Sequence, residues 1–256
     1  ETFLKRVSER DEGNNYNSLR WVADTYLALG NGLKSSMSDP SKEALGYFSV
    51  AGKTYQAILK KIDADPSFAP GANARLAISV KMVECLRGAG QYQKAFETLK
   101  NTIKDHRDNL DVQIEAARIF QDWGRKESKY YITSIVGAAP DAKGNNYVWG
   151  WNGIAKRVAP SIDKDPRFKE VFYDAYLAKT RCRFLYLRRL KDKEEQIQQA
   201  KDAESDLERL YQTHPDLGGP AVFSKFDSAY KNFQKFRGEK NPRSLREAIN
   251  IDAADK

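Results

Sequence analysis

The sequence predicts an all-α fold in which antiparallel helix pairs stack one on another. Two observations support this prediction. An apolar stripe with helical spacing begins at Leu76 and returns 34 residues later, and a glycine, Gly90 or Gly124, follows each copy. A fixed period of this size is the signature of a repeat architecture. Because one helix pair cannot bury both of its apolar faces, neighbouring pairs must stack.

The two copies of the stripe place their apolar residues at i, i+4, i+7 and i+10, which lines one face of an α-helix. The members are Leu76, Val80, Val83 and Leu86, then Leu110, Ile114, Ala117 and Phe120. Glycine adopts the left-handed conformation without steric cost, so Gly90 and Gly124 are predicted to end these helices.

A second helix is predicted after each glycine. The apolar positions are Tyr92, Ala95, Phe96, Leu99 and Ile103 in one pair, and Tyr130, Tyr131, Ile135 and Val136 in the next. The first of these helices ends near His106, and the later His214 ends another helix in the same way. A histidine at the C-terminal end of a helix interacts favourably with the negative end of the helix dipole. We therefore prefer a capping role to general-base catalysis for both histidines.

An earlier helix pair is visible upstream, where Tyr16, Ala23, Tyr26 and Gly30 precede the first stripe by 60 residues. The excess over one period is predicted to be an insertion near residues 31–42, followed by a second helix over about 41–62.

These features resemble the tetratricopeptide repeat (TPR) family. The segment from Gly90 to Ala95 is similar to the family's turn between helices, and the period of 34 residues is the family's period. The resemblance implies a right-handed α-α superhelix, a TPR-like solenoid. It would contain three helix pairs over residues 16–140 and a divergent TPR-like region over 141–236.

Downstream of residue 140 the repeat fades, but helical patterns continue. Helices are predicted over 145–159, 168–190, 194–213 and 221–236, the last as a cap on the solenoid. Residues 1–15 are a flank and residues 237–256 a polar, frayed tail. Since the chain begins at Glu1 without Met, we interpret it as a processed or excised piece.

The composition narrows the possible chemistry. Two Cys and two His exclude a disulfide framework and most His/Cys metal sites, and Cys85 and Cys182 are predicted to be core residues. The similar segments 62–68 and 162–168 fit helix starts capped by Asp better than calcium loops. No catalytic motif, cofactor motif or membrane-spanning run is present, so we predict a protein that is not an enzyme and has no cofactor. The compartment and the oligomeric state stay open.

Two clusters each have two interpretations. Tyr147, Trp149 and Trp151 could form an aromatic surface for a sugar or peptide, although a packed joint is favoured. The basic window 181–193 could bind a polyanion, since the net charge is +8. A solvated face with salt bridges is favoured, because acidic residues follow at once. Its members are Arg181, Arg183, Arg188, Arg189, Lys191 and Lys193.

The TPR resemblance implies a ligand groove lined by the first helix of each pair. The groove positions here are Asn17, Arg20, Asp24, Glu84, Arg87, Asp111, Arg118 and Gln121. Family members that clamp a peptide's terminal carboxylate carry Lys and Asn where this chain has Arg20 and Asp24. The mixed charges fit a protein partner or an extended peptide better. The alternatives are a polyanion- or nucleic-acid-binding helical domain and an accessory domain of a larger enzyme.

Overall fold

A computed structural model describes residues 15–34, 39–138 and 147–254. Within these ranges the chain is all-helical and forms no strand. It divides into two compact units, residues 1–122 and 123–256. Most of the predicted flank and the centre of the predicted insertion lie outside the described residues.

In its described residues, the first unit forms five α-helices whose bounds agree closely with the periodicity. They are α1 (Tyr16–Gly32), α2 (Lys42–Ala64), α3 (Ala74–Gly88), α4 (Tyr92–Asp105) and α5 (Leu110–Trp123), which ends one residue into the second unit. Helix α1 packs on α2, α2 on α3 and α3 on α4, and α1 also touches α3. The short connection between α3 and α4 makes these two helices antiparallel neighbours.

Phe48 of α2 is the centre of the first unit's core. A Cβ atom added at Gly30 would lie 2.8 Å from the Phe48 ring, and one added at Gly88 would lie 2.5 Å from it. The two glycines belong to α1 and α3, so the ring fills a space between the backbones of two helices. No larger residue fits at either position unless the ring moves.

Helix α3 is buried on two opposite sides, which the predicted stripe did not indicate. Val83 of the stripe is buried, whereas Leu76 and Leu86 are only half-buried. Ile78 and Cys85, on the other side of the helix, are buried in the core that α1 and α2 form. The reason is that α3 packs against α2 and also against α4.

Gly90 and Gly124 occupy equivalent positions for different physical reasons. Gly90 has φ +73° and follows the end of α3, as the prediction of a left-handed cap requires. Gly124 is not among the residues with positive φ. A Cβ atom there would lie 2.4 Å from the ring of Tyr131, so Gly124 permits a close approach and does not reverse the chain.

In the part of the chain that the structure describes, the second unit forms six further α-helices. They are α6 (Lys129–Val136), α7 (Gly150–Val158), α8 (Pro166–Leu187), α9 (Lys193–Thr213), α10 (Pro220–Phe236) and α11 (Leu245–Ala254). Helix α8 packs against α6, α7, α9 and α10. Helix α8 therefore contacts two helices that precede it in the chain and two that follow it.

The C-terminal segment differs from the predicted frayed tail because it contains α11. The Leu245 side chain is fully buried, and its backbone N–H donates to Asp227 Oδ1 of α10 at 2.8 Å. The Gln234 side chain also exchanges two hydrogen bonds with the backbone of Arg243. One apolar anchor and two side-chain caps therefore order a segment whose composition is mainly polar.

The two Asp-Pro segments begin helices, as the sequence predicted. Asp65 and Asp165 each accept a hydrogen bond from the backbone N–H two residues on, at 2.9 and 2.8 Å. In both, proline follows at the first helical position. This geometry is that of an N-cap.

Both cysteines are buried free thiols, and we expect neither to react with a disulfide reagent such as Ellman's in the native protein. Burial raises the pKa of Cys85 to about 12. Cys182 is fully buried and accepts a hydrogen bond from Ser134 Oγ at 3.2 Å. Both thiols should react after denaturation, because unfolding removes the burial that keeps them from forming the reactive thiolate. Rapid labelling of the native chain, located by mass spectrometry of peptides, would contradict this.

Candidate functional site: the polar face of the first unit

Three helices of the first unit carry polar residues at positions that share one face of each helix. On α5 the positions are i, i+4, i+7 and i+11, which follow a single stripe. The residues that form this polar face are Asn17, Arg20, Asp24, Asn31, Lys34, Lys81, Glu84, Arg87, Asp111, Glu115, Arg118 and Asp122. The helices involved are α1, α3 and α5, which the sequence predicts to be the first helices of their pairs, and Lys34 follows the end of α1.

Arg87 is the centre of the polar face and joins α3 to α5. Its Nε lies 2.6 Å from Glu115 Oε1, and its Nη2 lies 3.3 Å from Glu115 Oε2. Its Nη1 lies 2.9 Å from Asp122 Oδ2. The Arg87 and Glu115 side chains are buried, with 10% and 3% of their surface exposed. This two-point pairing of guanidinium and carboxylate is the strongest geometry open to an arginine.

The network continues to α1 through two further contacts. The Lys34 ammonium lies 2.7 Å from Asp122 Oδ2, so this one carboxylate oxygen receives both Lys34 and Arg87. Asn31 Nδ2 donates to Glu84 Oε1 at 3.1 Å. These contacts join α3 to α1, and α5 to the residue Lys34 that follows α1, on the polar side of the unit.

The pKa values of the acids follow from burial and from the cations beside them. Burial would raise the pKa of Asp122, but Arg87 and Lys34 outweigh it and hold that pKa below its usual value. The pKa of Glu84 is lowered against burial by Lys81 and Arg87. Burial raises the pKa of Glu115 even beside Arg87. Glu115 therefore depends on its arginine to remain ionised inside the unit.

The predicted groove residues separate into two groups. Glu84 and Arg87 are occupied within the buried network, and Arg87 directs all its contacts to carboxylates of this chain. Arg20 and Arg118 are exposed, and Arg20 pairs with Asp24 at 3.3 Å. Asn17 and Asp111 are also exposed, whereas Gln121 is half-buried. The residues available to a ligand thus surround a network that holds the helices in place.

Sequence reasoning missed five residues of the polar face, Asn31, Lys34, Lys81, Glu115 and Asp122. A signal was present on α5, where Asp111, Glu115, Arg118 and Asp122 recur at helical spacing. That stripe identifies one polar face but not the partner of each acid, because Arg87 is 28 residues from Glu115 in the chain.

In the second unit, the aromatic cluster contributes little surface. Trp149 and Trp151 are 9% and 5% exposed, and Tyr147 is half-buried. The Arg157 guanidinium lies 4.1 Å from the centroid of the Trp149 ring. Burial leaves these two tryptophans little area for a ligand at an open surface.

The basic window of the second unit, residues 181–193, contains both paired and exposed side chains. The Arg183 guanidinium contacts Asp206 of α9, and Arg189 donates to the backbone carbonyl of Arg125 at 3.0 Å. The exposed side chains of the window are Arg181, Arg188, Arg189, Lys191 and Lys193. At least one member of the window is therefore committed to a salt bridge.

Among the described residues, no group of three or more His, Cys, Asp or Glu side chains is arranged to hold a metal ion. Within the same ranges, no helix combines the length and apolarity needed to cross a bilayer. Comparison with protein-family models, with curated protein sequences and with solved structures gave no match.

Proposed function

We propose that this chain is a non-enzymatic protein- or peptide-binding domain of the TPR-like type. In this proposal its helix pairs form a right-handed solenoid, and the ligand lies in the groove lined by α1, α3 and α5. The observation that supports it is the polar face, to which the first helix of each of three pairs contributes. A face built from alternate helices is the surface that repeat proteins offer to partners.

The chemistry of the exposed residues favours an extended peptide that carries charges of both signs. Arg20, Lys81 and Arg118 are exposed cations, and Asp24 and Asp111 lie on the same helix faces. The buried network behind them holds the helix backbones rigid. A surface that is already ordered loses less conformational entropy when a ligand binds.

The test is a pull-down from the source organism with the intact chain, repeated with matched variants. We expect Arg20→Ala combined with Arg118→Ala to lose the partner while changing the free energy of unfolding by less than about 1 kcal/mol. Lys60→Ala combined with Lys94→Ala, which alters two exposed lysines on α2 and α4, should retain the partner. A partner kept by the arginine variant would contradict the groove proposal.

Polyanion binding is the second candidate, supported by the exposed cations of the 181–193 window. Titration of salt separates the two. Affinity for a polyanion falls steeply as counterions are added, and affinity for a peptide in the groove falls much less. Arg188→Glu combined with Arg189→Glu would abolish polyanion binding and leave a groove partner bound.

A further inference from the structure

A cavity of about 420 Å³ lies in the second unit between α7 and α8. One wall comes from Trp151, Asn152 and Lys156 of α7, and the other from Phe172, Tyr176 and Lys179 of α8. Small residues, Ala155, Ala159 and Ala175, complete the lining and leave the space between the larger side chains empty.

The cavity is aromatic on both walls. Trp151 is on one side, and Phe172 and Tyr176, with ring centroids 4.9 Å apart, are on the other. Trp151 and Phe172 are buried, with 5% and 3% of their surface exposed, so the half-buried Tyr176 offers the larger ring surface to a ligand. Flat rigid rings are suited to an aromatic group, because they provide contact area at little cost in side-chain entropy.

The charge around the cavity is unbalanced. The Lys179 ammonium lies 3.6 Å from Asp206 Oδ2 and 4.6 Å from the centroid of the Tyr176 ring. The same Asp206 oxygen also receives Arg183. One carboxylate therefore serves two cations, and the exposed Lys156 adds a third positive charge at the opposite wall.

The state of Lys179 agrees with this imbalance. Burial lowers the pKa of its ammonium, and the positive charges of Arg183 and Arg209 lower it further against the effect of Asp206. With 13% of its side-chain surface exposed, Lys179 is largely withdrawn from water. An additional anion beside the ammonium would add to the counter-charge of Asp206, which Lys179 shares with Arg183.

We propose that this cavity binds an aromatic carboxylate, with its ring against Tyr176 and its carboxylate paired with Lys179. The two parts of the ligand match the two properties of the site, an apolar space of limited size and a cation with an incomplete counter-charge. The chemistry is shared by a free aromatic acid and by a peptide that ends in Phe. This site is separate from the groove of the first unit and does not depend on it.

The test compares two probes that differ only in charge, N-acetylphenylalanine and its amide, by isothermal titration calorimetry on the full chain. The acid should bind at least about tenfold more tightly, since a hydrogen bond between two ionised groups is stronger than one to a neutral amide. Equal affinity for the two probes, or no binding of either at millimolar concentration, would overturn the proposal.

Variants locate the site. Lys179→Met retains the aliphatic stem and should remove the preference for the acid, and Lys156→Met should reduce it without affecting the Asp206 ion pairs. Lys225→Met, an exposed lysine of α10 outside the cavity lining, should leave both affinities unchanged. Thermal unfolding shows whether each variant still folds. If Lys179→Met does not fold, the result is decided by Lys156→Met alone. A preference that survives both changes would overturn the proposal.

A short peptide ending in Phe, with a free or an amidated C-terminus, then identifies the source of the ligand. Tighter binding of the free peptide than of N-acetylphenylalanine identifies a peptide C-terminus, because residues before Phe add contacts. Weaker binding of the peptide identifies a free aromatic acid, because the chain before Phe is excluded.

Discussion

Replacement of Arg87 by Met is expected to lower the free energy of unfolding by about 3–5 kcal/mol, the usual cost of removing one partner from a buried ion pair. The network contains equal numbers of cations and anions, Lys34, Lys81 and Arg87 against Glu84, Glu115 and Asp122. Loss of the guanidinium leaves Glu115 buried without its counter-ion. Chemical denaturation followed by circular dichroism measures the effect.

Arg75→Met is a control on the same helix. Arg75 pairs with Asp63 at 2.9 Å, but more than half of each side chain is exposed to water. Its loss should cost less than about 1 kcal/mol. A cost for Arg87→Met no greater than that of Arg75→Met would show that the network contributes nothing beyond a surface pair.

A double variant, Arg87→Met with Glu115→Leu, should recover most of the stability that Arg87→Met alone loses. Both members of the buried pair are then apolar, and Asp122 keeps Lys34 at 2.7 Å. Replacement of a buried ion pair by apolar residues of similar volume is often neutral or stabilising. The coupling energy from the complete mutant cycle measures the pair directly.

The second large effect is expected for Phe48→Ala, which should lower the free energy of unfolding by about 3–5 kcal/mol. The ring is 2% exposed and lies against Gly30 and Gly88, where backbone forms the walls. Helix backbones cannot collapse into the space that the ring leaves, so the cavity term is retained. The same denaturation experiment measures the loss.

Leu45→Ala is the matched control on α2, because 39% of Leu45 is exposed. It should change the free energy by about 0.5 kcal/mol or less. Gly88→Ala should destabilise by about 1–3 kcal/mol through overpacking, and Phe48→Leu should relieve part of that cost. If Gly88→Ala proved neutral, the ring would not fill the space as described.

The helices could be predicted from the sequence where apolar spacing and a terminal signal agree. Helices α2, α4 and α9 begin and end within a few residues of their predicted bounds, because caps and breakers mark both ends. Helix α11 could not be predicted, since it depends on Leu245 and on contacts from Asp227 and Gln234 that lie outside its own segment.

The candidate site was predictable only in part, for a related reason. The exposed members of the polar face follow from helical position, but burial of Arg87 and Glu115 does not. From sequence alone, a charged residue on a helix is predicted to face solvent, because charged residues are rarely buried without a partner. The partner here comes from another helix. Spacing along the chain also gives no reason for Gly124, which is required by the ring of Tyr131.

The central position of α8 has a consequence for how the second unit opens. Helices α6, α7, α9 and α10 all rest on α8, so separation of any one of them uncovers part of the same helix. A linear array can lose a terminal repeat and keep the rest, because each repeat contacts only its neighbours. The second unit is instead expected to unfold as one cooperative block, with the amide protons of α8 the last to exchange with solvent.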